Sequence, residues 1–474
     1  MRIHNKASIR LWHWTARALW RSTTLTALLL VSLVPLAAQN EPESVAAAPA
    51  EQADEVAAPG YSGPAVLSRA NQPSIGQGSV FATLQPFISV NEFFDNGTNT
   101  GFSGGTPDSS SSGVALSFGL TGTRRWKGAT VSLQYEGNYQ RSSQQSTIVG
   151  TNQFLNLTAV VPFQHHFMFS YRQTAGTSKQ GFGSLSFQPE SLEMSTPVPA
   201  NEPLNSEVKF VDSMATIVYQ KSNRLSFSAS LDESLIRQQY LSLVGTDSAS
   251  VRGDVNYQLT PRTTVGLDYT FNHYGYTTFG SAAIQIVSLD YSWRMTRTVD
   301  VAGQLGTAYG SVQSLSSVPI DPELAPILGT SMGLQVTNRI IKAPSYNVRV
   351  IKHWYHASAD LDYQKGVSPG NGLVLTSTTE TIMGGFSYTV RNSWTVSIEG
   401  GWTTLNAISA ATSKYSSYVA NVSLSHAIRP GLETIARFEA RPFTYVGPTA
   451  LNQTTYIAGI GLTFSPKPLP VVLR

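Results

Sequence analysis

Two histidines in the segment KHWYH come closest to a metal-binding motif. His353 and His356 are three residues apart, a spacing that puts both rings on one face of a helix but on opposite faces of a strand. The surrounding sequence predicts strand and turn, so we expect no shared ion here. His165 and His166 straddle another predicted turn and are interpreted in the same way.

Hydrolytic chemistry would need a serine, a histidine and an acid converging near one rim of the molecule. The chain has eight histidines and abundant serine, so chance pairs are expected. No combination stands out from that background. The sequence therefore predicts no catalytic residues, no cofactor site and no metal site, and an enzyme is the third of the functions considered.

Charged residues that share one face of a predicted strand are a stronger signal. In GLETIARFEARPF the charges fall on one strand face and Phe438 on the other, and DLD places two acids on a common face. The candidate pore-lining residues are Asp360, Asp362, Glu433, Arg437, Glu439 and Arg441. A charge facing lipid at mid-bilayer costs about 2 to 4 kcal/mol, so these faces are expected to point into a lumen. They would either close a salt-bridged, plugged interior or line a pore that selects solutes by charge.

Strands of about ten alternating residues position these charges. Five segments place apolar residues on one face and mostly polar residues on the other: VSLQYEGNY, RLSFSASLDES, VGLDYTF, VSLDYSWRM and HASADLDYQ. Charged residues are only 13% of the chain and hydrophobic residues 41%, which suits strands with one apolar and one polar face. The pattern predicts an all-β protein, a transmembrane antiparallel up-and-down β-barrel of about 16 to 18 strands. A large soluble β-sandwich or β-helix is the alternative.

The connections alternate in length, which also favours a barrel with two unlike rims. Short turns are predicted at 124–128, 162–166, 221–224, 259–263, 295–298, 390–393 and 427–431. Longer loops are predicted at 95–112, 177–207, 241–248, 315–330, 365–372, 406–414 and 446–453. Alternation is poor in 325–353, where we expect an inserted helix or a folded-in loop.

Segments of a different composition precede and follow the predicted barrel. Residues 1–38 predict a signal peptide with a basic region and a short apolar core, and 39–78 an Ala-, Pro- and Glu-rich disordered periplasmic linker. The barrel is predicted over 79–464, followed by a Pro-rich tail at 465–474. The net charge of +3 gives no electrostatic case for a nucleic-acid partner, and zero cysteines exclude disulfides.

The final strand YIAGIGLTF resembles the C-terminal signal that the assembly machinery reads in bacterial outer-membrane β-barrel proteins. Tyr456, Gly459, Leu462 and Phe464 carry the resemblance, although Ile457 stands where that signal has a polar residue. Its alternation places Tyr456 and Phe464 near opposite interfaces. Three prolines follow, and because proline cannot donate to a sheet we expect the tail to leave the ladder. YQKGVSPGNGLVLTS (363–377) is similar to an element of large uncharacterised outer-membrane barrels of soil bacteria.

These features predict a porin-like protein of the bacterial outer membrane, surrounded by outer-membrane lipid, that passes small hydrophilic solutes passively. The main alternative is a non-conducting surface or assembly component whose long loops, such as 177–207, bind envelope polysaccharide or partner proteins. The deciding question is whether 177–207 or 315–345 folds inward across the lumen.

Overall fold

The described part of the chain forms one continuous antiparallel sheet. The computed structural model describes residues 82–471 apart from 97–109, 127, 144, 164–165, 180–206, 239–242, 322, 324–326, 328–330, 391–392, 409–412, 448–449 and 468. The predicted signal peptide (1–38), the predicted linker (39–78) and the first residues of the predicted barrel (79–81) lie outside the described residues. Within them, no helix has the length and apolar character needed to cross a membrane.

Nineteen strands lie in the described residues, and all belong to this sheet. In chain order they are β1 Ala82–Asp95, β2 Ser111–Trp126, β3 Ala129–Ser142, β4 Gln145–Phe163, β5 Phe167–Lys179, β6 Glu207–Gln220, β7 Leu225–Gln238, β8 Thr246–Thr260, β9 Thr263–Tyr276, β10 Ser281–Arg294, β11 Val299–Pro319, β12 Met332–His353, β13 Ala357–Gly370, β14 Leu375–Val390, β15 Trp394–Ala407, β16 Lys414–Arg429, β17 Leu432–Val446, β18 Leu451–Phe464 and β19 Leu469–Val471.

Alternation decides which face of each strand is covered. In β10, Leu289 is 64% exposed on the outside, whereas the next residue, Asp290, is 2% exposed on the lumen side. Successive side chains of a strand point to opposite faces, so one residue step exchanges an apolar exterior for a polar interior. The same pattern holds in β3, where Leu133 is exposed and Glu136 is buried, as the sequence predicts.

The sheet closes on itself. Each of β1 to β17 pairs with the strand that follows it, and β18 returns to β1 from Ile88↔Phe464 to Asp95↔Ile457. The result is an eighteen-stranded antiparallel up-and-down barrel, which confirms the predicted fold class and the even strand count. Closure matters because an unpaired backbone group in hydrocarbon costs several kcal/mol, and a closed barrel has no free edge there.

The two rims differ in the way the sequence predicts. One rim carries turns of at most four residues, and the other carries the long connections that include 180–206 and 320–331. One short turn, Trp354–His356, was not predicted; it joins β12 to β13. Four connections on the long-loop rim are also short: 143–144, 277–280, 371–374 and 447–450. The loops predicted at 365–372 and 446–453 are therefore shorter than expected, because the flanking strands extend into them.

The expectation of an inserted helix or a folded-in loop is wrong for 332–353. Met332–His353 is a single strand of 22 residues, longer than any other described strand, and it pairs with β11 from Pro319↔Met332 to Val299↔Lys352. Alternation is weak there because both faces of its outer half carry apolar residues. Ile341 and Ala343 are buried on the lumen side while Ile340 is exposed on the outside.

The tail departs from its predicted behaviour in part. β18 ends at Phe464, as predicted, but Leu469–Val471 then forms β19 against the first residues of β1. Pro470 is placed opposite Thr83 in this short ladder. Proline is tolerated at such an edge because its missing N–H can face away from the neighbouring strand. The prolines therefore interrupt the sheet without ending it.

Candidate pore lining and barrel mouth

The predicted charges of β17 share the lumen face. Phe438 is 45% exposed on the outer face, and the adjacent Glu439 is 2% exposed on the inner face. Arg441 forms an ion pair with Glu439 through its Nε. Arg437 stands opposite Gly459 of β18 in register, so the glycine leaves room beside its long side chain.

The predicted acids of β13 face the same interior. Asp362 is placed opposite Arg349 of β12, and Asp360 opposite Gly385 of β14, where a Cβ would come within 2.7 Å of Asp360 Oδ1. Glu433 also lies on the lumen face, near the short-turn rim. Three strands separate β13 from β17 in the sheet, so the six candidates lie on two different parts of the wall.

A third group, absent from the candidate residues, is more strongly acidic. One aspartate on the lumen face of each of five consecutive strands forms a row that we call the acidic ladder, and all but one of its members are fully buried. The acidic ladder consists of Asp212, Asp232, Asp254, Asp268 and Asp290. Arg172 and Arg252 on the same face neutralise it only in part.

Asp254 and Asp268 stand directly opposite each other on β8 and β9. Like charges in that position repel, so other groups must stabilise them. Arg252 forms an ion pair with Asp268 through Nε, and its Nη2 lies 3.9 Å from Asp290 Oδ2. Ser288 donates a 3.2 Å hydrogen bond to Asp268, and Ser228 donates to Asp254. One guanidinium therefore serves as the counter-ion for at least two carboxylates.

A repeated tripeptide could have revealed part of the ladder. LDY occurs at 267–269, 289–291 and 361–363, each time with the leucine and tyrosine on the outer face and the aspartate inside. The strands carrying these repeats were predicted, and their aspartates were placed inward. What the sequence did not show is that β8, β9 and β10 are neighbours in a register that aligns their acids.

The segment 370–376, which we call the hairpin tip, crosses the mouth of the barrel on the long-loop rim. Gln238 of β7 donates through Nε2 to the backbone oxygen of Asn371 at 3.3 Å, and Val244 N donates to Gly372 O at 3.2 Å. Tyr276 of β9 accepts from Thr376 N at 2.9 Å and donates to Pro369 O at 3.0 Å. These partners lie on strands far from β13 and β14 in the sheet order.

The other side of the hairpin tip packs against apolar side chains on the lumen face of β15, β16 and β17. Val374 is buried in a cluster with Leu405, Tyr415, Phe443 and Tyr445. Polar contacts on one side and apolar contacts on the other hold the tip within the mouth. The inward segment is thus 370–376. Of the two segments for which inward folding was the open question, 315–345 is largely strand in its described part, and 177–207 lies outside the described residues apart from its ends.

Glycine makes the tight turn of the hairpin tip possible. Gly370 and Gly372 adopt φ of +89° and +84°, values that side-chain-bearing residues rarely take. Asn371 Oδ1 accepts from Val374 N at 3.1 Å and so closes the turn from within. Thr376 also has a positive φ, of 34°, and its backbone N–H is held by Tyr276. A strained residue persists only where its surroundings fix it, which marks this tip as a specified structure.

The closing strand places its signature residues as predicted. Tyr456, Leu462 and Phe464 are exposed on the outer face, whereas Gly459 pairs with Phe93 of β1 and Arg437 of β17. The neighbouring Gly461 has a stricter requirement, because a Cβ there would fall on the amide of Asn91. The assembly role of this strand stays a prediction.

The histidines are where the sequence predicts them. His353 ends β12, His356 lies in the following turn and His166 lies in the turn before β5. Among the described residues no group of three or more His, Cys, Asp or Glu could hold a metal ion. GTSMG at 329–333 fits the GxSxG pattern, but it leads into strand β12, whereas a nucleophile elbow joins a strand to a helix.

No protein-family model matches the chain, and no curated protein matches it. Solved barrels resemble it at low identity. OccK2 (OpdF) of Pseudomonas aeruginosa has a TM-score of 0.42 and 10% identity, with 82% of this chain and 99% of that chain covered. OccK5 (OpdH) of the same organism has a TM-score of 0.40 and 12% identity over 82% and 98%. A BenF-like porin from Pseudomonas fluorescens Pf-5 has a TM-score of 0.40 and 10% identity over 81% and 98%.

Proposed function

We propose that the protein is a passive channel of the bacterial outer membrane that passes small hydrophilic solutes. The observation that carries the proposal is a closed eighteen-stranded barrel with apolar side chains outside and charged side chains inside. Barrels of about 16 to 18 strands are wide enough to leave an aqueous channel. Only the outer membrane of bacteria and related organellar membranes commonly hold such barrels, which supports the location.

The charges of the interior support a preference for cations. The acidic ladder has five carboxylates and, among the residues that the structure describes, two guanidinium groups within ion-pair distance, those of Arg172 and Arg252. A ring or wall of acidic side chains raises the local concentration of cations and lowers that of anions. Arg437 and Arg441 oppose this preference from the other side of the barrel.

The hairpin tip favours restricted passage over a wide general pore. Its contacts with β7 and β9 on one side and with β15 to β17 on the other reduce the free cross-section at the mouth. The same observation supports a second candidate, a barrel that does not conduct and serves as a surface or assembly component. The two functions differ in one measurable property, the passage of ions.

Single-channel recording in planar bilayers tests the proposal. We expect a defined conductance step and a reversal potential in a KCl gradient that indicates cation preference. Replacing Asp268 and Asp290 by Asn should reduce that preference, whereas Glu380→Gln, on the outer face, should leave it unchanged. A purified barrel with heat-modifiable mobility that never conducts would refute the channel and support the second candidate.

A further inference from the structure

β12 and β13 separate partway along the wall. Their backbone pairing runs from His353↔Ser358 to Tyr346↔Lys365 and stops there, although β12 continues to Met332 and β13 to Gly370. Beyond this point β12 remains paired with β11, and β13 remains paired with β14. Beyond Tyr346↔Lys365 the wall therefore contains a seam, a region where these two consecutive strands have no backbone pairing with each other.

The two sides of the seam overlap. Val367 belongs to the outward face of β13, the face of Leu361, yet it is buried in a cluster with Ile341 and Ala343 from the inward face of β12. The end of β13 therefore lies on the lumen side of β12. Arg339 of β12 reaches across it and donates through Nη1 to Ile408 O at 2.6 Å. Aliphatic packing and one long side chain thus close this part of the wall.

The seam begins at the level of a membrane interface. Lys365 Nζ lies 3.3 Å from Glu380 Oε2 on the outer face, and Tyr363 donates to the same carboxylate at 3.0 Å. Charges at mid-bilayer are costly, so this pair belongs at the headgroup level, on the rim of the long loops. The unpaired strand edges beyond this ion pair therefore lie at or above the headgroups of the outer leaflet, outside the hydrocarbon core.

An apolar stripe on the outside of β12 leads to the seam. Leu334 is 75% exposed and Ile340 is 70% exposed, and Met332 and Val336 lie on the same face, with Asn338 as the one polar residue between Val336 and Ile340. The stripe lies beyond Lys342, which is exposed on that face opposite Tyr309. Exposed apolar surface of this kind marks an interaction site, and the adjacent ammonium group makes an anionic headgroup the complementary one.

We propose that the seam admits the alkyl chain of an anionic, single-chain amphiphile from the outer face of the barrel into its mouth. The chain would approach along the stripe; once bound, its headgroup would lie at Lys342 and the alkyl chain would pass over the edge of β12 at that level into the cluster formed by Ile341, Ala343 and Val367. Separation of the seam breaks no backbone pair between β12 and β13. The proposal rests on the outer-membrane location given above, but it does not require the lumen to conduct ions.

Photolabelling of the wild-type protein tests the position of the chain. Purified barrel in lipid nanodiscs would be irradiated with a dodecanoic acid that carries a diazirine near its methyl end, and labelled residues identified by mass spectrometry. We expect labels on Ile341, Ala343 and Val367 that unlabelled dodecanoate competes away. Labels confined to outward-facing residues around the whole barrel would overturn the proposal, because they report only adsorption to the lipid-facing surface.

Uptake by cells tests the function. Cells producing Leu334→Ser/Ile340→Ser should take up labelled dodecanoate no faster than cells without the protein, while Ile428→Ser, exposed on the opposite rim, should match the wild type. Leu334, Ile340 and Ile428 are all exposed, so we expect both variants to fold, and heat-modifiable mobility checks this. Equal dodecanoate uptake by the double variant, the Ile428→Ser variant and the wild type would refute the seam as a route. Conductance of the same variants separates this result from failure of the channel itself.

Discussion

Arg252 offers the sharpest test of how the barrel interior is stabilised. Its guanidinium pairs with Asp268 and lies 3.9 Å from Asp290, both of which are almost completely buried. The change Arg252→Gln removes the counter-ion and leaves two buried acids on neighbouring strands with fewer favourable partners. We expect the folded barrel to lose stability even though glutamine fits the same space.

The size of the loss follows from distance and burial. Two unit charges 3.9 Å apart at an effective dielectric constant of about 20 interact by about 4 kcal/mol. Removing one partner of a buried pair typically costs about 3 to 5 kcal/mol. The Arg252 side chain is 22% exposed, so water screens part of the interaction and we expect a loss of about 3 kcal/mol.

Urea unfolding in lipid vesicles, followed by tryptophan fluorescence, measures this loss. The double variant Arg252→Gln/Asp268→Asn should be more stable than Arg252→Gln alone, because it also removes the uncompensated charge. Arg297→Gln, in an exposed turn, is the matched control and should change stability by less than about 0.5 kcal/mol. The reasoning fails if Arg252→Gln costs less than about 1 kcal/mol, or if the two substitutions add without coupling.

Three further predictions test other parts of the barrel. Arg437→Glu/Arg441→Glu should shift the reversal potential toward cations, and an unchanged potential would make both residues purely structural. Gly461→Ala should lower the fraction of heat-modifiable, folded barrel because its Cβ meets the Asn91 amide, and Asn91→Ala in the same chain should restore it; failure of that rescue would remove the steric explanation. Replacing 371–374 by a two-residue turn should enlarge the single-channel conductance, whereas an unchanged step would show that the hairpin tip does not restrict the pore.

The sequence predicts most of the fold where one face of a strand meets an apolar environment and the other meets a polar one. Leu289 and Asp290 illustrate this, since their opposite exposure is already encoded in the alternation of β10. The prediction fails in β12 because apolar and polar residues occur on both faces of its outer half. Ile340 is exposed outside, while Ile341 packs on Val367 beneath an overlapping strand, so the period of two disappears.

The sequence predicts toward which face the candidate side chains point, but it does not predict which acidic residues come together. Inward orientation of Glu439 and Arg441 follows from the parity of one strand. The acidic ladder depends instead on the register between strands, which brings Asp254 opposite Asp268. The inward position of the hairpin tip is still harder to predict from the sequence, because the contact of Tyr276 with Thr376 joins strands that are not neighbours in the sheet.

The junction between β1 and β18 sets the order in which the protein can fold. Thr463 Oγ1 donates to Ser89 Oγ at 3.0 Å across 374 positions of the sequence, and β19 extends the same junction to Ala82. Pairs between residues so far apart in the sequence form slowly, because the conformational entropy of a very long loop must be lost before they form. Until the residues of β18 and β19 arrive, β1 presents an open template that another chain could pair with. The nascent barrel therefore passes through a period in which its first strand needs protection, and that period ends only with the last described strands.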